Sequence, residues 1–583
     1  MKKYNEIIIS LILSIINLFF IWHNFLVNGN NIIFLFILLT SFNLIHKGLM
    51  IKNRRINCVS IIISVIFTFI EIIGKSINQD YTLDNIINKW LLVNFIGYFT
   101  IGWTVIKLIY YSLDRINIKK LKKIDIKINF LNNNYSFFIT CIVLILLVWI
   151  PYLLKYYPGI VTSDSYTQIE QAIGKIPLQD HHPIAHTAIV SLCINLGLIL
   201  FKNINTAIAL YSLVSMLLMA CFDSAVLVYL RKKSITPIIL GMALLYYMFY
   251  PVNAIYSITM WKDILFSGIF PIFLIFCNEL LVNTDYFFKD KRKMIIFVIV
   301  SFLMTVLRHN GLYVVLFTLP FFYIVKNQYW KKLSIVFLSI IVVCQVFNVI
   351  VFNVLKVEKG SVGEMLSVPL QQIARVEKKH RSELSVELKN RINAIFITES
   401  IGDYYNPTLS DPVKAKINIK YFKENKIECI KIWTKLLLKY PKDYVESFIS
   451  NSYGYYYPEA YNGVVSRATM DHNMGIEQKP KIQGKIVERI DSFIDRRDIP
   501  LVSMIFSIGM AFWVIIICLG YKIYKEEYKI ILIYLPILVL WLTCIASPVF
   551  CEYRYAYPIF TTIFIYISLN FTKQEEEIKQ IGE

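Results

Sequence analysis

A chain of 583 residues that is 56% hydrophobic and only 17% charged is too apolar for an ordinary soluble protein, in which about a quarter of residues are charged. Apolar runs close to the roughly 20 residues that cross a bilayer recur along it, so the sequence reads as an all-α polytopic membrane protein. The net charge of +20 does not make it a nucleic-acid binder: between 355 and 500 there are 24 Lys/Arg against 19 Asp/Glu, or +5, and the other +15 lies in and around the apolar runs, mainly in short loops, as the positive-inside rule describes.

In chain order, Met1-Lys2-Lys3 precedes an apolar run with no small-residue cleavage site, which reads as a first membrane helix and signal anchor. Spans are predicted at 7–27, 31–46, 58–77 and 91–111, making residues 1–111 a unit of four N-terminal helices. Further spans follow at 136–154, 205–230, 236–251, 264–282, 294–307, 311–325 and 333–354, within a membrane core of 112–354. Residues 501–583 add spans at 501–521, 529–547 and 556–572 and a cytoplasmic tail. The apolar run 184–201 decides the topology. If it is re-entrant or interfacial, every basic cluster falls on one side, including Lys119-Lys120 and Lys122-Lys123, Arg231-Lys232-Lys233 and Lys291-Arg292-Lys293. Half-crossing backbone is tolerated where protein or a water-filled cavity covers it. That choice gives about fourteen spans with both termini cytoplasmic.

It also places five polar segments on the outer face. The first, 155–185, carries Asp164 after a Pro-Gly turn, and then Asp180-His181-His182-Pro183. Ionisable groups beside a lipid surface are costly and usually functional. Asp164 reads as a general base or metal ligand, and Thr162-Ser163-Asp164-Ser165 also reads as a helix N-cap; the two roles can fall to neighbouring residues. Trp261-Lys262-Asp263 closes the second loop, where Asp263 reads as a dipole-stabilised first-turn acid or as a second acid facing Asp164. Arg308-His309-Asn310-Gly311 offers a guanidinium suited to bidentate phosphate binding, or a snorkelling arginine. The fourth segment, 355–500, reads as a mostly helical extracytoplasmic domain with helix-like spacing over 361–391 and 413–438, punctuated by Pro407, Pro412 and Pro441. Its Tyr453-Gly454-Tyr455-Tyr456-Tyr457 run reads as an interfacial belt or a stacking platform for sugar rings. The fifth holds Glu552-Tyr553-Arg554, read as a phosphate-binding arginine or a Glu–Arg pair in an aromatic belt. The ten cysteines are scattered with no CxxC, so they read as buried free thiols, without a disulfide framework or zinc site.

Together these make two acids, two imidazoles and several cations on one membrane face. In order and placement they resemble the GT-C class of integral membrane glycosyltransferases. The likeness rests on a first outer loop with Asp164, then His182-Pro183 heading a juxtamembrane helix, a second outer loop ending in Asp263, and Arg554-Tyr555 before Pro558. It covers residues 136–572. The resemblance implies a GT-C-like core in the plasma membrane of a bacterial cell, with its active site on the extracytoplasmic face. It implies a polyprenyl-phosphate sugar as donor and a cell-wall or surface glycan or glycolipid as acceptor, both met at the lipid bilayer. It implies Asp164 as base, Asp263 as its partner, His181 and His182 in the catalytic group, and Lys262, Arg308 and Arg554 on the donor phosphate. Many members use a divalent metal, here with Asp164 and Asp263 as ligands. The paired first-loop acids common in the family are replaced by Asp164-Ser165, so Asp180, Glu170 or Asp263 would have to complete such a site. Alternative readings are a flippase or transporter for lipid-linked saccharide, a polysaccharide polymerase or ligase, and a non-enzymatic scaffold.

Overall fold

The computed structural model describes residues 2–25, 31–116, 133–360, 362–461, 500–546 and 548–571, with scattered positions between 463 and 492. The basic cluster at Lys119–Lys123, Ser547 and the tail from 572 lie outside the described residues. The described chain is helical; its only β-pairings are isolated bridges. Four N-terminal helices, α1 (Lys2–Phe25), α2 (Asn31–Met50), α3 (Arg54–Asp80) and α4 (Leu91–Arg115), pack mutually. The core follows with α5 (Asn134–Lys155), α6 (Ser163–Ala172), α7 (Ile184–Phe201), α8 (Ile204–Lys232), α9 (Pro237–Phe249), α10 (Pro251–Ser257), α11 (Lys262–Val282), α12 (Lys291–Leu307), α13 (His309–Val325) and α14 (Trp330–Val349).

Ten helices are long and apolar enough to cross a membrane among the described residues, or eleven if α9 and α10 form one span bent by 50°. The fourteen runs expected from the sequence do not all qualify, for identifiable reasons. Pro251 cannot continue the α9 hydrogen-bond ladder, and the run 236–251 ends there. Helices α12 and α13 have 17 residues each, as do two C-terminal helices, α20 (Ile508–Tyr524) and α22 (Tyr553–Leu569). At 1.5 Å per residue that is about 26 Å, short of a hydrocarbon core of about 30 Å. In the other direction, α7 joins the ten by length and composition.

The packing of α7 is informative. His186 Nε2 meets the Tyr211 hydroxyl of α8 at 2.8 Å, and nearer the 202–203 turn Gly197 abuts Ala207, so α7 and α8 pack as neighbours. Where the sequence suggests a re-entrant or interfacial segment, α7 is by length and composition able to cross a membrane.

The segment after α14 forms a small helical domain: α15 (Ser367–His380), α16 (Val386–Ile395), α17 (Ile419–Glu424), α18 (Lys426–Lys439) and α19 (Pro441–Ser452). It has its own apolar core around Leu370, Ile373, Ile392, Ile432 and Leu436. The expected 361–391 helix is interrupted at 381–385, where Ser385 caps α16 by accepting from Leu388 N–H, and the 413–438 run breaks at Asn425. The domain is tied to the N-terminal helices: Glu446 accepts from Leu83 N–H at 2.9 Å and Arg375 donates to the Tyr81 carbonyl at 2.9 Å.

The tyrosine run is neither a belt nor a platform. Tyr453, Tyr455 and Tyr457 are buried and their hydroxyls donate to Asn78, the Val549 carbonyl and Glu459. They pack the domain against the C-terminal helices α20 and α21 (Leu535–Ala546). All ten cysteines are free; Cys58 is exposed, Cys221 and Cys344 are half-buried, and the other seven are buried.

Candidate active site

The polar segments singled out in the sequence meet at one end of the bundle. Two backbone hydrogen bonds splice the first loop to the second: Ile160 N–H to the Ile258 carbonyl and Met260 N–H to the Ile160 carbonyl, both 3.0 Å. Gly159 makes this approach possible. Its φ is +139°, and an added Cβ would fall 2.1 Å from Ser212 Oγ, which itself donates to the Pro158 carbonyl. A second clasp joins Asp180 N–H to the Glu358 carbonyl at 2.8 Å, and His309 Nε2 lies 3.3 Å from the Asp180 carbonyl.

Helix α6 begins with a cap that leaves Asp164 free. Thr162 is the N-cap residue, its N–H donates to Ser165 Oγ at 3.1 Å, and Ser165 Oγ donates to the Met260 carbonyl. Trp261 Nε1 donates to Thr162 Oγ1 at 2.6 Å. Capping and chemistry are thus split between neighbours, and Asp164 accepts from Arg554 Nη1 at 2.7 Å. Arg554 also lies 3.4 Å from Glu552 and stacks on Trp261, with its guanidinium carbon 4.7 Å from the ring centre.

A second pair lies beside the first. Asp263, fully buried in the first turn of α11, is 3.1 Å from Arg308 Nε. Neither Asp263 oxygen makes a hydrogen bond of good geometry. Arg308 is the extended break between α12 and α13; it is buried, donates to the Tyr555 carbonyl at 3.3 Å and lies 4.4 Å over the Tyr555 ring. A snorkelling side chain would reach outward, and this one does not. Gly311 permits the tight crossing there, since a Cβ would fall 1.8 Å from the Met304 carbonyl.

Lys262 Nζ lies 3.1 Å from His182 Nδ1, so the imidazole nitrogen accepts from the ammonium. Burial, and then the charge of Lys262, pushes the His182 pKa down to about 3. His182 is therefore neutral and holds Lys262 in place, rather than acting as a strong base. His181 meets His182 edge-on at 4.7 Å. Burial alone would raise the Asp164 carboxyl, but the charges of Arg554 and Lys262 and the Arg554 hydrogen bond outweigh it and hold Asp164 below the usual carboxylate range. Glu552 goes the other way: burial raises it, reinforced by the charges of Asp263 and Asp164 and opposed by Arg554 and Arg308. Two carboxylates on one guanidinium are thus pushed apart, as in acid/base pairs. Asp180, 16 residues after Asp164, is also raised by burial.

All seven residues selected from the sequence, Asp164, His181, His182, Lys262, Asp263, Arg308 and Arg554, come together. Trp261 and Tyr555, each adjoining a chosen residue in sequence, were not selected, and no spacing distinguishes them; Glu552 was read only as the partner of Arg554 in a Glu–Arg pair. A metal does not fit this arrangement. Asp164 and Asp263 each face an arginine, and no group of three or more His, Cys, Asp or Glu able to hold an ion occurs among the described residues.

No curated protein and no solved structure matches the chain. A family profile matches residues 173–582 and so takes in Lys262, Asp263, Arg308 and Arg554, while Asp164 lies just before its first matched residue. That match covers most of the chain, which belongs to DUF6020, a family of unknown function.

Proposed function

We propose that the protein is a membrane glycosyltransferase with a GT-C-like core, moving a sugar from a polyprenyl-phosphate donor to a cell-wall or surface glycan on the outer face of a bacterial plasma membrane. The observation that carries this reading is two guanidinium–carboxylate contacts, the buried Asp263–Arg308 and the half-buried Asp164–Arg554, beside Lys262 at one end of an apolar bundle.

In this reading the donor phosphate competes with Asp164 for Arg554. Anions bind guanidinium bidentately and strongly, and Arg554, Arg308 and Lys262 then oppose the charge that develops on the leaving phosphate. Released from its arginine, Asp164 becomes a better base. The acceptor hydroxyl oxygen forms the new bond to the sugar C1 and its proton passes to Asp164. The bond from C1 to the phosphate oxygen breaks, and the electron pair leaves with the lipid phosphate. His182 keeps Lys262 aligned.

The test is transfer from a panel of polyprenyl-phosphate hexoses by purified wild type and by Asp164→Asn at matched thermal stability. Turnover by wild type and its loss in the variant are expected; equal turnover removes Asp164 from the chemistry. A transporter reading has one observation in its favour. Asp223, in the middle of α8, is fully buried and neither carboxylate oxygen has a hydrogen-bond partner, and unpaired acids within a bundle are typical of transport paths. Saccharide-lipid flipping in proteoliposomes that is lost in Asp223→Asn and kept in Asp164→Asn would favour it.

A further inference from the structure

Helix α18 of the small domain carries two apolar faces. One, Cys429, Ile432 and Leu436, is buried in the domain core. The other is exposed: Ile427, Ile430 and Leu438 are 72%, 61% and 79% accessible. At 100° per residue these three fall within an arc of about 80°, with Thr434 between them. Lys431, Lys435 and Lys439 form a row along one flank of the same face, and all three are exposed. Neither Lys431 nor Lys435 has an ion-pair partner among the described residues, whereas the nearby Glu428 is occupied by Arg391. From Asp411 to Lys442 the chain holds nine lysines against three acids, a balance of +6.

Single exposed aliphatics are common and need no explanation. Three on one helical stripe, edged by a lysine row, have the pattern of a helix that lies in a bilayer interface, its apolar residues among the acyl chains and its lysines on lipid phosphates. Long translocated segments escape the topological charge bias, so these lysines are available as surface chemistry. The domain follows the apolar helix ending at Val354 and precedes the apolar helix α20, so the bilayer on its own side is always within reach.

We infer that α18 docks onto the bilayer surface by binding anionic phospholipid, and so fixes the small domain against the membrane beside the polar site. Each lysine near an anionic surface contributes about 1 kcal/mol, which makes the docking dependent on lipid charge. The aliphatic stripe favours a lipid surface over an anionic polymer, which offers no hydrocarbon.

The test uses the full-length protein in nanodiscs, with Cys58→Ser removing the exposed thiol. A spin label is placed at Ile430→Cys, and a control label at Glu387→Cys on the exposed surface of α16. The readout is the ratio of oxygen to nickel-chelate collision rates. At 430 this ratio is expected to be several-fold higher in phosphatidylglycerol-containing discs than in phosphatidylcholine discs, and to collapse in a Lys431→Glu/Lys435→Glu variant of unchanged melting temperature. The control label stays aqueous throughout. A label at 430 as aqueous as that at 387 in both lipids overturns the proposal. So does protection that appears only on adding soluble poly(glycerol phosphate), which would reassign the face to an anionic polymer.

Discussion

Two buried ionic clusters in this molecule use the same residue types for different ends. In the small domain, Glu446 accepts from Arg375, from Lys379 at 3.1 Å and from Leu83 N–H, while Asp443 takes Lys379 at 3.1 Å and His380 Nε2 at 2.9 Å. Every oxygen of those two carboxylates has a partner, and the cluster ties the domain to the loop after α3. At the bundle end, Asp263 sits within ion-pair distance of Arg308 with neither oxygen in a well-formed hydrogen bond; each cluster leaves one arginine Nε unbonded, at Arg375 and at Arg554, so the contrast lies in the carboxylates. A satisfied buried network fixes a structure, whereas an unsatisfied one holds capacity for a ligand. The first cluster is built to stay as it is, and the second is arranged to exchange partners.

The sharpest way to break this contrast is to disable one member of each cluster and compare activity with stability. Asp164→Asn is expected to lower transfer by about 100- to 10,000-fold, the range for loss of a general base, with little change in melting temperature. An equal loss of stability would place Asp164 in the structural class. Glu446→Ala should do the reverse, since removing one partner of a buried pair costs about 3–5 kcal/mol. Limited proteolysis and thermal unfolding should report an opened small domain, and an unchanged melting profile would dissolve the distinction. Arg308→Lys keeps the charge and loses the planar fork, so donor affinity should fall about tenfold while the fold survives; titration with a polyprenyl phosphate reads this directly.

A pH titration gives the smallest effect and sharpens the comparison. Burial alone would lower the pKa of His380, but its contacts with Glu383 and Asp443 outweigh that and raise it above the ordinary imidazole value. A raised folded-state pKa means that the stabilisation is fully present below the unfolded value near 6.5 and is lost as pH climbs through the folded one. The small domain should therefore loosen modestly as pH rises above that ordinary imidazole value, and His380→Gln should flatten the trend. At the site, His182 is held neutral with a pKa of about 3, so it contributes no such titration near neutrality.

Much of the site was legible because its residues carry charge where the surroundings are apolar. Asp164, Lys262, Asp263, Arg308 and Arg554 each interrupt or border an apolar run, and that cost in lipid marks them without any alignment. Trp261 was not distinguishable, because its role depends on Arg554, 293 positions away in the chain, whereas the Glu552–Arg554 pair, two residues apart, was one of the two readings of its segment. The tyrosine run misled for a related reason: tyrosine suits an interface, a sugar platform or a buried core equally well, and only hydroxyl partners such as Asn78 and Val549 decide among them.

What the sequence determined by itself is the class of molecule and the rough position of its helices. Both follow from local properties, namely the length of apolar runs and the breaks made by proline and charge. It also marked the residues that meet at the bundle end, since burying an ionised group is costly wherever it occurs. Only the tertiary structure decided which carboxylate takes which arginine, that Ser165 of the α6 cap reaches the Met260 carbonyl of the second loop, and that the tyrosine run is buried against the C-terminal helices. Those outcomes depend on contacts between segments tens to hundreds of residues apart, and no local pattern encodes such distances.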